Sequence, residues 1–390
     1  MSIELPYNNN LHDYGYYEVD NRKFLVKHDA LLYATQHNKT VKWNFNDEYF
    51  SSFDWSVEPT ETLEYLYAER ARQLRQRYDY LVLHYSGGYD SNNIIETFIK
   101  NNIHLDEVVI RAPNINDYDP SSGLTADNHY AEAKHVAYPL ALAIKNLYMP
   151  HLKITVLDTA PLIVNWFTKN KNWFDNVTWV TDPSAVMRSN FDMLDDNLIH
   201  MAEKGIKIGH VTGHDKPNVN DEPNGSYAVS FTDIISTRGY LTPRLTHRDL
   251  PYYFEFFYWH KDSVKMMIKQ AHTVVRAKAN GKCLKPLIYP ITNDQEKERN
   301  GYEWRVYEDE IAESIYSRMF PRSWTSFKTA IKMIGDDHSW IFKHSDSEFF
   351  KNWKRNMLKL HFSIDKRFHR DDDFFEWGSK ILESKKYLIK

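Results

Sequence analysis

A chain of 390 residues can bury a large core, and 15% aromatic residues against 13 glycines fit a compact aromatic-cored globule and exclude a disordered one. A net charge of −4 sets up no basic field of the kind that announces a nucleic-acid partner, and the 18 histidines mark no site by themselves. One cysteine, Cys283, excludes an internal disulfide framework and any cysteine-based zinc cluster.

The first ten residues carry neither a basic start nor an apolar run, and no stretch approaches 18 uninterrupted apolar residues. The expectation is a cytoplasmic chain with no signal peptide and no membrane span. Residues 1–57 are aromatic and polar, with short strands predicted at Tyr16–Val19 and Val41–Phe45 and a short helix over His28–Ala34 between them. They read as a small α+β cap or an edge addition to a larger sheet. From Glu61 to Arg77, Leu63, Leu66, Ala71 and Leu74 keep helical spacing, so a helix leads into the strand Tyr80–Tyr85.

A βα alternation follows. Strands are predicted at Glu107–Ala112, Lys153–Leu157 and Ile206–Thr212. Between them come helices over Ala126–Leu147, with Pro139 expected to kink or split the first, and over Ser184–Lys204. Strands separated by helices of this length imply a parallel α/β sheet whose ligand crevice lies at the carboxyl ends of its strands. Beyond Pro251 the pattern turns to helices, predicted over 262–280, 303–319 and 323–334. The organisation expected is therefore a cap over 1–57, a parallel-sheet domain over 58–249 and a mostly helical part over 250–390. The acidic run Asp371-Asp372-Asp373 reads as a solvated turn.

The chemistry is concentrated in Ser86-Gly87-Gly88-Tyr89-Asp90-Ser91, between the strand Tyr80–Tyr85 and a helix predicted over Ser91–Ile99. Two glycines let the backbone turn tightly and approach a ligand, and their amides, with those opening the helix, can point at a phosphate. The helix start adds about half a positive charge there. The Ser86 and Ser91 hydroxyls would donate to phosphate oxygens. Asp90 is out of place beside phosphate charges unless a metal or neighbouring donors hold it.

This loop resembles the pyrophosphate-binding loop of the N-type ATP pyrophosphatases, the PP-loop superfamily, and differs from a Walker A loop, whose G-x-x-x-x-G-K-[ST] pattern is absent. The resemblance implies a Rossmann-like α-hydrolase sheet that holds the β and γ phosphates of ATP while a substrate attacks the α phosphate, releasing pyrophosphate. Thr212-Gly213-His214-Asp215-Lys216-Pro217 resembles, in shortened form, the glycine–acid turn of the asparagine synthetase branch that faces ATP and Mg²⁺. Lys216 and Pro217 stand where the family has a glycine-rich continuation. Asp215 is thus read either as a Mg²⁺ ligand, with Asp90, or as a cap of a strand-ending turn, and Lys216 as a counter-charge for the leaving pyrophosphate.

Arg111, at the next strand end, either touches nucleotide or substrate or forms a surface ion pair. Arg276, Lys278, Lys282 and Lys285 either close over the phosphates or form a solvated face. His210 and His214 straddle a strand and a turn with no third ligand nearby, which argues against zinc. The run Tyr252–Trp259 reads as base-stacking rings or as packing core.

Ser2 in place of a nucleophilic cysteine argues against a glutaminase half. The order of parts is similar to stand-alone asparagine synthase-like proteins of phages and some bacteria, which would place a phage-encoded chain in the host cytoplasm. The resemblance implies an AMP-forming ligase or amidotransferase that adenylates a small carboxylate or amino acid and then admits ammonia or an amine. The alternatives are a nucleobase-modifying enzyme acting on tRNA or DNA, and a nucleotide-binding protein without chemistry.

Overall fold

The computed structural model describes residues 15–24, 27–111, 137–157, 196–213, 216–233, 250–288, 304–316, 319, 330–331 and 382–389. Near the N-terminus, β1 (Tyr16–Val19), β2 (Arg22–Phe24) and β3 (Lys42–Asn44) form an antiparallel sheet in the order β2-β1-β3, with α1 (Lys27–His37) between β2 and β3. After α2 (Asp47–Phe50) comes α3 (Leu63–Arg77), capped by the Thr62 side chain, which accepts from the Tyr65 amide. The expected strands at 16–19 and 41–45 and the helix before the motif all form, with ends shifted by one or two residues.

The main sheet is built from β4 (Tyr80–His84), β5 (Glu107–Arg111), β6 (Lys153–Leu157), β7 (Ile208–Thr212) and, further on, Tyr252–Phe256. Helix α4 (Tyr89–Lys100) joins β4 to β5. Helices Tyr138–Leu147 and Asp196–Glu203 precede β6 and β7. Pro139 stands in the first turn of the described part of its helix, and residues 126–136 of the expected helix lie outside the described residues. Leu81, Val82 and Leu83 are all buried, as expected for a central parallel strand covered on both faces.

After β7 the chain makes a hairpin of β8 (Asn218–Asp221) and β9 (Tyr227–Ser230) before entering β10 (Tyr252–Phe256). All neighbours in the main sheet are parallel, in the order β10-β7-β4-β5-β6. From β4 the chain moves outward through β5 and β6, then returns to the other side of β4 to place β7 and β10. The order therefore reverses between β4 and β7, and the crevice at such a reversal is where open α/β sheets bind ligands.

Beyond β10 the chain departs from the expected helices. The Val264–Ala279 helix forms as expected, after a 3₁₀ turn at Lys261–Ser263. The helix expected over 303–319 does not: β12 (Trp304–Asp309) pairs antiparallel with β11 (Leu284–Ile288), and among the described residues of that span only Ala312–Ile315 is helical. Within the helix expected over 323–334, Ala330–Ile331 forms β13 against β12. In both cases pairing with a distant strand overrides the local helical spacing. The strand β14 (Tyr387–Ile389) closes a sheet of order β14-β9-β8. Asp371-Asp372-Asp373 lies outside the described residues.

An aromatic cluster ties these layers together. Phe45 lies 4.4 Å from Phe231 and 5.5 Å from Trp259, and Trp55 stacks on Tyr387 at 4.8 Å. Rings at such separations contribute about 0.5–1.5 kcal/mol per pair beyond the area they bury. The run after Pro251 belongs to this interior: Tyr252, Phe254, Phe256, Phe257, Tyr258 and Trp259 are all buried. The base-stacking alternative for that run is thus excluded for these six rings.

Candidate functional site

The expected loop sits at the sheet reversal, as β4 gives way to α4. The strand ends at His84, and the helix begins at Tyr89, two residues before the expected start, because Gly88 rather than Ser91 occupies the cap position. Gly87 has φ +75°, a left-handed conformation that glycine adopts without strain. Gly88 brings no side-chain cap bond to the helix start. Amides at a helix start have no carbonyl one turn earlier to receive them, which is why such starts suit anionic groups.

Side chains fix the turn from within. Asn92 Nδ2 donates to the Gly87 carbonyl at 2.8 Å, and the Tyr85 hydroxyl donates to Asn92 Oδ1. Ser86 Oγ accepts from the Gly88 amide at 3.3 Å, and Ser91 Oγ donates to the Gly88 carbonyl at 3.2 Å. The two serine hydroxyls lie 3.3 Å apart, so both are gathered at the turn with the glycine amides between them.

Asp90 is held by neighbouring donors, as its position beside a phosphate-type loop demanded. Its Oδ1 accepts a hydrogen bond from the Tyr316 hydroxyl and pairs with Lys216 Nζ at 3.1 Å. The same ammonium lies 4.9 Å from the Tyr316 ring centroid. Tyr258 donates to the Asp90 carbonyl at 2.9 Å and accepts from Asn93 Nδ2 at 3.0 Å. Burial first, and then the Asp90 charge, pushes the Tyr258 and Tyr316 phenols well above their usual range, so both stay protonated donors.

The turn after β7 meets the loop directly. A Cβ on Gly213 would lie 3.1 Å from the Asp90 carbonyl carbon, 3.1 Å from its Cβ and 3.1 Å from Ile94 Cδ1. Only a glycine lets β7 end this close to the start of α4. Lys216, three residues later, is where the sequence placed a counter-charge. Asp215 and His214 lie outside the described residues, as does the side chain of Arg111, whose backbone pairs with Leu157 at the end of β5. Among the described residues no group of three or more His, Cys, Asp or Glu side chains is placed to hold a metal ion.

The basic side chains proposed to close over the phosphates have other partners. Arg276 pairs with Glu58, Lys278 with Asp221 at 3.1 Å, and Lys282 donates to Ser314 Oγ at 3.0 Å. The side chain of Lys285 is outside the described residues. His210 bonds through Nδ1 to His84 Nε2 at 2.8 Å across the sheet and stacks on Phe254. His84 was not singled out in the sequence.

Tyr258 and Tyr316 were not singled out as site residues either. Tyr258 lies inside the aromatic run, and Tyr316 carries no local signal, because only the fold brings the end of the Ala312–Ile315 helix to the loop. Among the described residues no helix is long and apolar enough to cross a membrane. Neither the models of known protein families nor the curated proteins give any match to this chain.

Proposed function

We propose that the chain activates a small carboxylate with ATP, forming an adenylate and pyrophosphate, and then passes the acyl group to ammonia or an amine. The observation that carries this reading is the Ser86–Ser91 turn, which leads into a glycine-capped helix start at the reversal point of a parallel sheet. ATP enters as a substrate. Its β and γ phosphates fit the glycine amides, the Ser86 and Ser91 hydroxyls and the positive end of α4. Held there, the polyphosphate presents the α phosphorus toward the open end of the crevice. An oxygen of the substrate carboxylate bonds to that phosphorus while the bond to the α–β bridging oxygen breaks, and the electron pair departs with pyrophosphate. The amine nitrogen then attacks the acyl carbon and loses a proton, and AMP leaves with the second electron pair.

Lys216 stabilises the charge that gathers on the departing pyrophosphate. A single carboxylate with neighbouring phosphate oxygens suits Mg²⁺, which binds through one or two carboxylates plus phosphates, and Asp90 would hold it. That ion would neutralise polyphosphate charge. The residues' own contribution is orientation and exclusion of water, worth several powers of ten when the reacting atoms are held near contact.

The test incubates the full chain with ATP, Mg²⁺, an ammonium salt and a panel of amino acids and small dicarboxylates, and reads pyrophosphate release. The expected result is acid-dependent release with at least one acid, cut by about a hundredfold or more in Asp90→Ala. Equal behaviour of wild type and Asp90→Ala with every acid would remove the loop from the mechanism.

A further inference from the structure

Asp90 keeps two donors on one carboxylate oxygen, and they are anchored very differently. Lys216 comes from the turn after β7 and is partly solvent-facing, with side-chain exposure of 21%. Tyr316 is buried at the end of the Ala312–Ile315 helix, and its own amide bonds back to the Ala312 carbonyl at 3.0 Å. The Ile315 carbonyl accepts from the Tyr67 hydroxyl of α3 at 2.8 Å, and the Met319 amide donates to buried Glu96 of α4 at 2.9 Å. The chain on both sides of Tyr316 is therefore pinned to the two helices that flank the loop strand. Its ring packs 5.5 Å from Tyr258 and 6.3 Å from Tyr67. The position of its hydroxyl is set by backbone bonds and ring packing that do not involve Asp90 itself.

We propose that Tyr316 is a positioning residue for Asp90, holding the carboxylate in place while Lys216 exchanges that carboxylate for the oxygens of an arriving polyphosphate. The proposal rests on the nucleotide reading of the loop. A polyphosphate brings several negative charges to the start of α4 and attracts the ammonium more strongly than one carboxylate does. Once Lys216 transfers, Asp90 faces like charge, and the neutral Tyr316 donor stays on its oxygen. The Tyr316 phenol remains neutral and donating, and a bond to a charged acceptor is among the stronger hydrogen bonds. Retained in this way, the Asp90 carboxylate would keep a fixed place beside a cation shared with the phosphates.

Tyr316→Phe isolates the hydroxyl, because it preserves the ring and its contacts with Tyr258, Tyr67 and the Lys216 ammonium. Binding of a non-cleavable α,β-methylene ATP analogue to the full chain, by calorimetry with and without Mg²⁺, reads the effect. The expected result is a roughly tenfold loss of affinity in Mg²⁺, with a much smaller change in its absence. Lys216→Met is expected to lose affinity under both conditions.

Tyr80→Phe serves as the control: it removes a hydroxyl that donates to Glu107 Oε2 at 2.9 Å at the start of β4, away from the loop, and it should leave the Mg²⁺ dependence as in wild type. An unchanged Mg²⁺ dependence in Tyr316→Phe, or the same change in Tyr80→Phe, would overturn the positioning role while leaving the nucleotide reading intact. Failure of the wild-type chain to bind the analogue at all would overturn the nucleotide reading and this proposal together.

Discussion

Replacing Glu255 by Gln should remove a large part of the stability that sets Tyr258 behind the loop. Glu255 lies on β10 with no exposed surface and accepts from Arg70 at 2.7 Å, from Arg77 at 3.0 Å and from the Tyr78 hydroxyl. Arg70 is also fully buried and donates to the Phe256 carbonyl at 3.1 Å. These bonds clamp α3 to β10, two residues before the segment that carries Tyr258. Glutamine keeps the shape and deletes the charge, leaving the Arg70 guanidinium buried without its counter-ion, a change that costs about 3–5 kcal/mol.

The pH dependence gives a second measure of the same interaction. Burial works against ionisation of Glu255, but the Arg70 charge and the hydrogen bonds from Tyr78 and Arg70 outweigh it and hold the carboxyl at about 2 rather than 4.5. A folded-state value below the unfolded one stabilises the protein above pH 4.5, and that contribution is lost as pH falls through about 2. The difference corresponds to on the order of 3 kcal/mol. Urea unfolding followed by tryptophan fluorescence, at pH 7 and at intervals down to pH 3, measures both quantities. The variant should unfold at lower urea at pH 7 and converge on wild type as the pH falls. A loss below about 1 kcal/mol at pH 7, or parallel acid titrations of the two proteins, would refute the reasoning. The double change Arg70→Met with Glu255→Leu should recover much of the loss.

Gly213→Ala would press a methyl group against Asp90 and Ile94 at 3.1 Å, and should lower stability by about 1–3 kcal/mol and weaken binding of the ATP analogue; unchanged melting would show that the turn yields freely. Gly87→Ala places an L residue at φ +75°, costing about 1–2 kcal/mol, and Gly87→Asn should cost less because asparagine tolerates that region. His260 is fully buried, and its Nδ1 accepts from the Asp262 amide at 3.1 Å. Burial, then the Arg70 charge, lowers its pKa to about 3, so NMR should find the ring neutral at pH 5 while exposed histidines are charged. Because the folded value lies below 6.5, this group adds to the stability lost as pH falls below 6.5. Truncation after residue 381 removes β14, the Tyr387–Trp55 stack and the Leu382 amide bond to buried Asp233, and should lower the melting temperature by several degrees or more.

The strand, loop and start of α4 were legible because their signal is local: an apolar strand, two glycines and an amphipathic helix within about twenty residues. The alternation of β4 to β7 was legible for the same reason. β10 was hidden because a strand buried in the interior reads as a dense aromatic run, Tyr252–Trp259, broken only by Glu255, with no alternation to set its period. Trp304, Tyr307, Ile311 and Ile315 satisfy helical spacing, yet Trp304–Asp309 pairs with Leu284–Ile288, and that choice is made by long-range ladder bonds. The β8–β9 hairpin did carry a readable turn, Pro223-Asn224-Gly225, with Gly225 at φ +80°. Asp90, Lys216 and Tyr316 meet from positions a hundred or more residues apart. Local patterning predicts the first as a problem, a charge that needs donors, and only the fold supplies the solution.

The central claim is that this loop directs attack to the α phosphate. ATP labelled at its α phosphorus, incubated with the full chain, Mg²⁺, ammonium and the acid panel and then resolved by chromatography, tests it most directly. The account predicts label in AMP, formed in equal amount with pyrophosphate and only when a suitable acid is present. Label accumulating in ADP, with phosphate rather than pyrophosphate released, would contradict it.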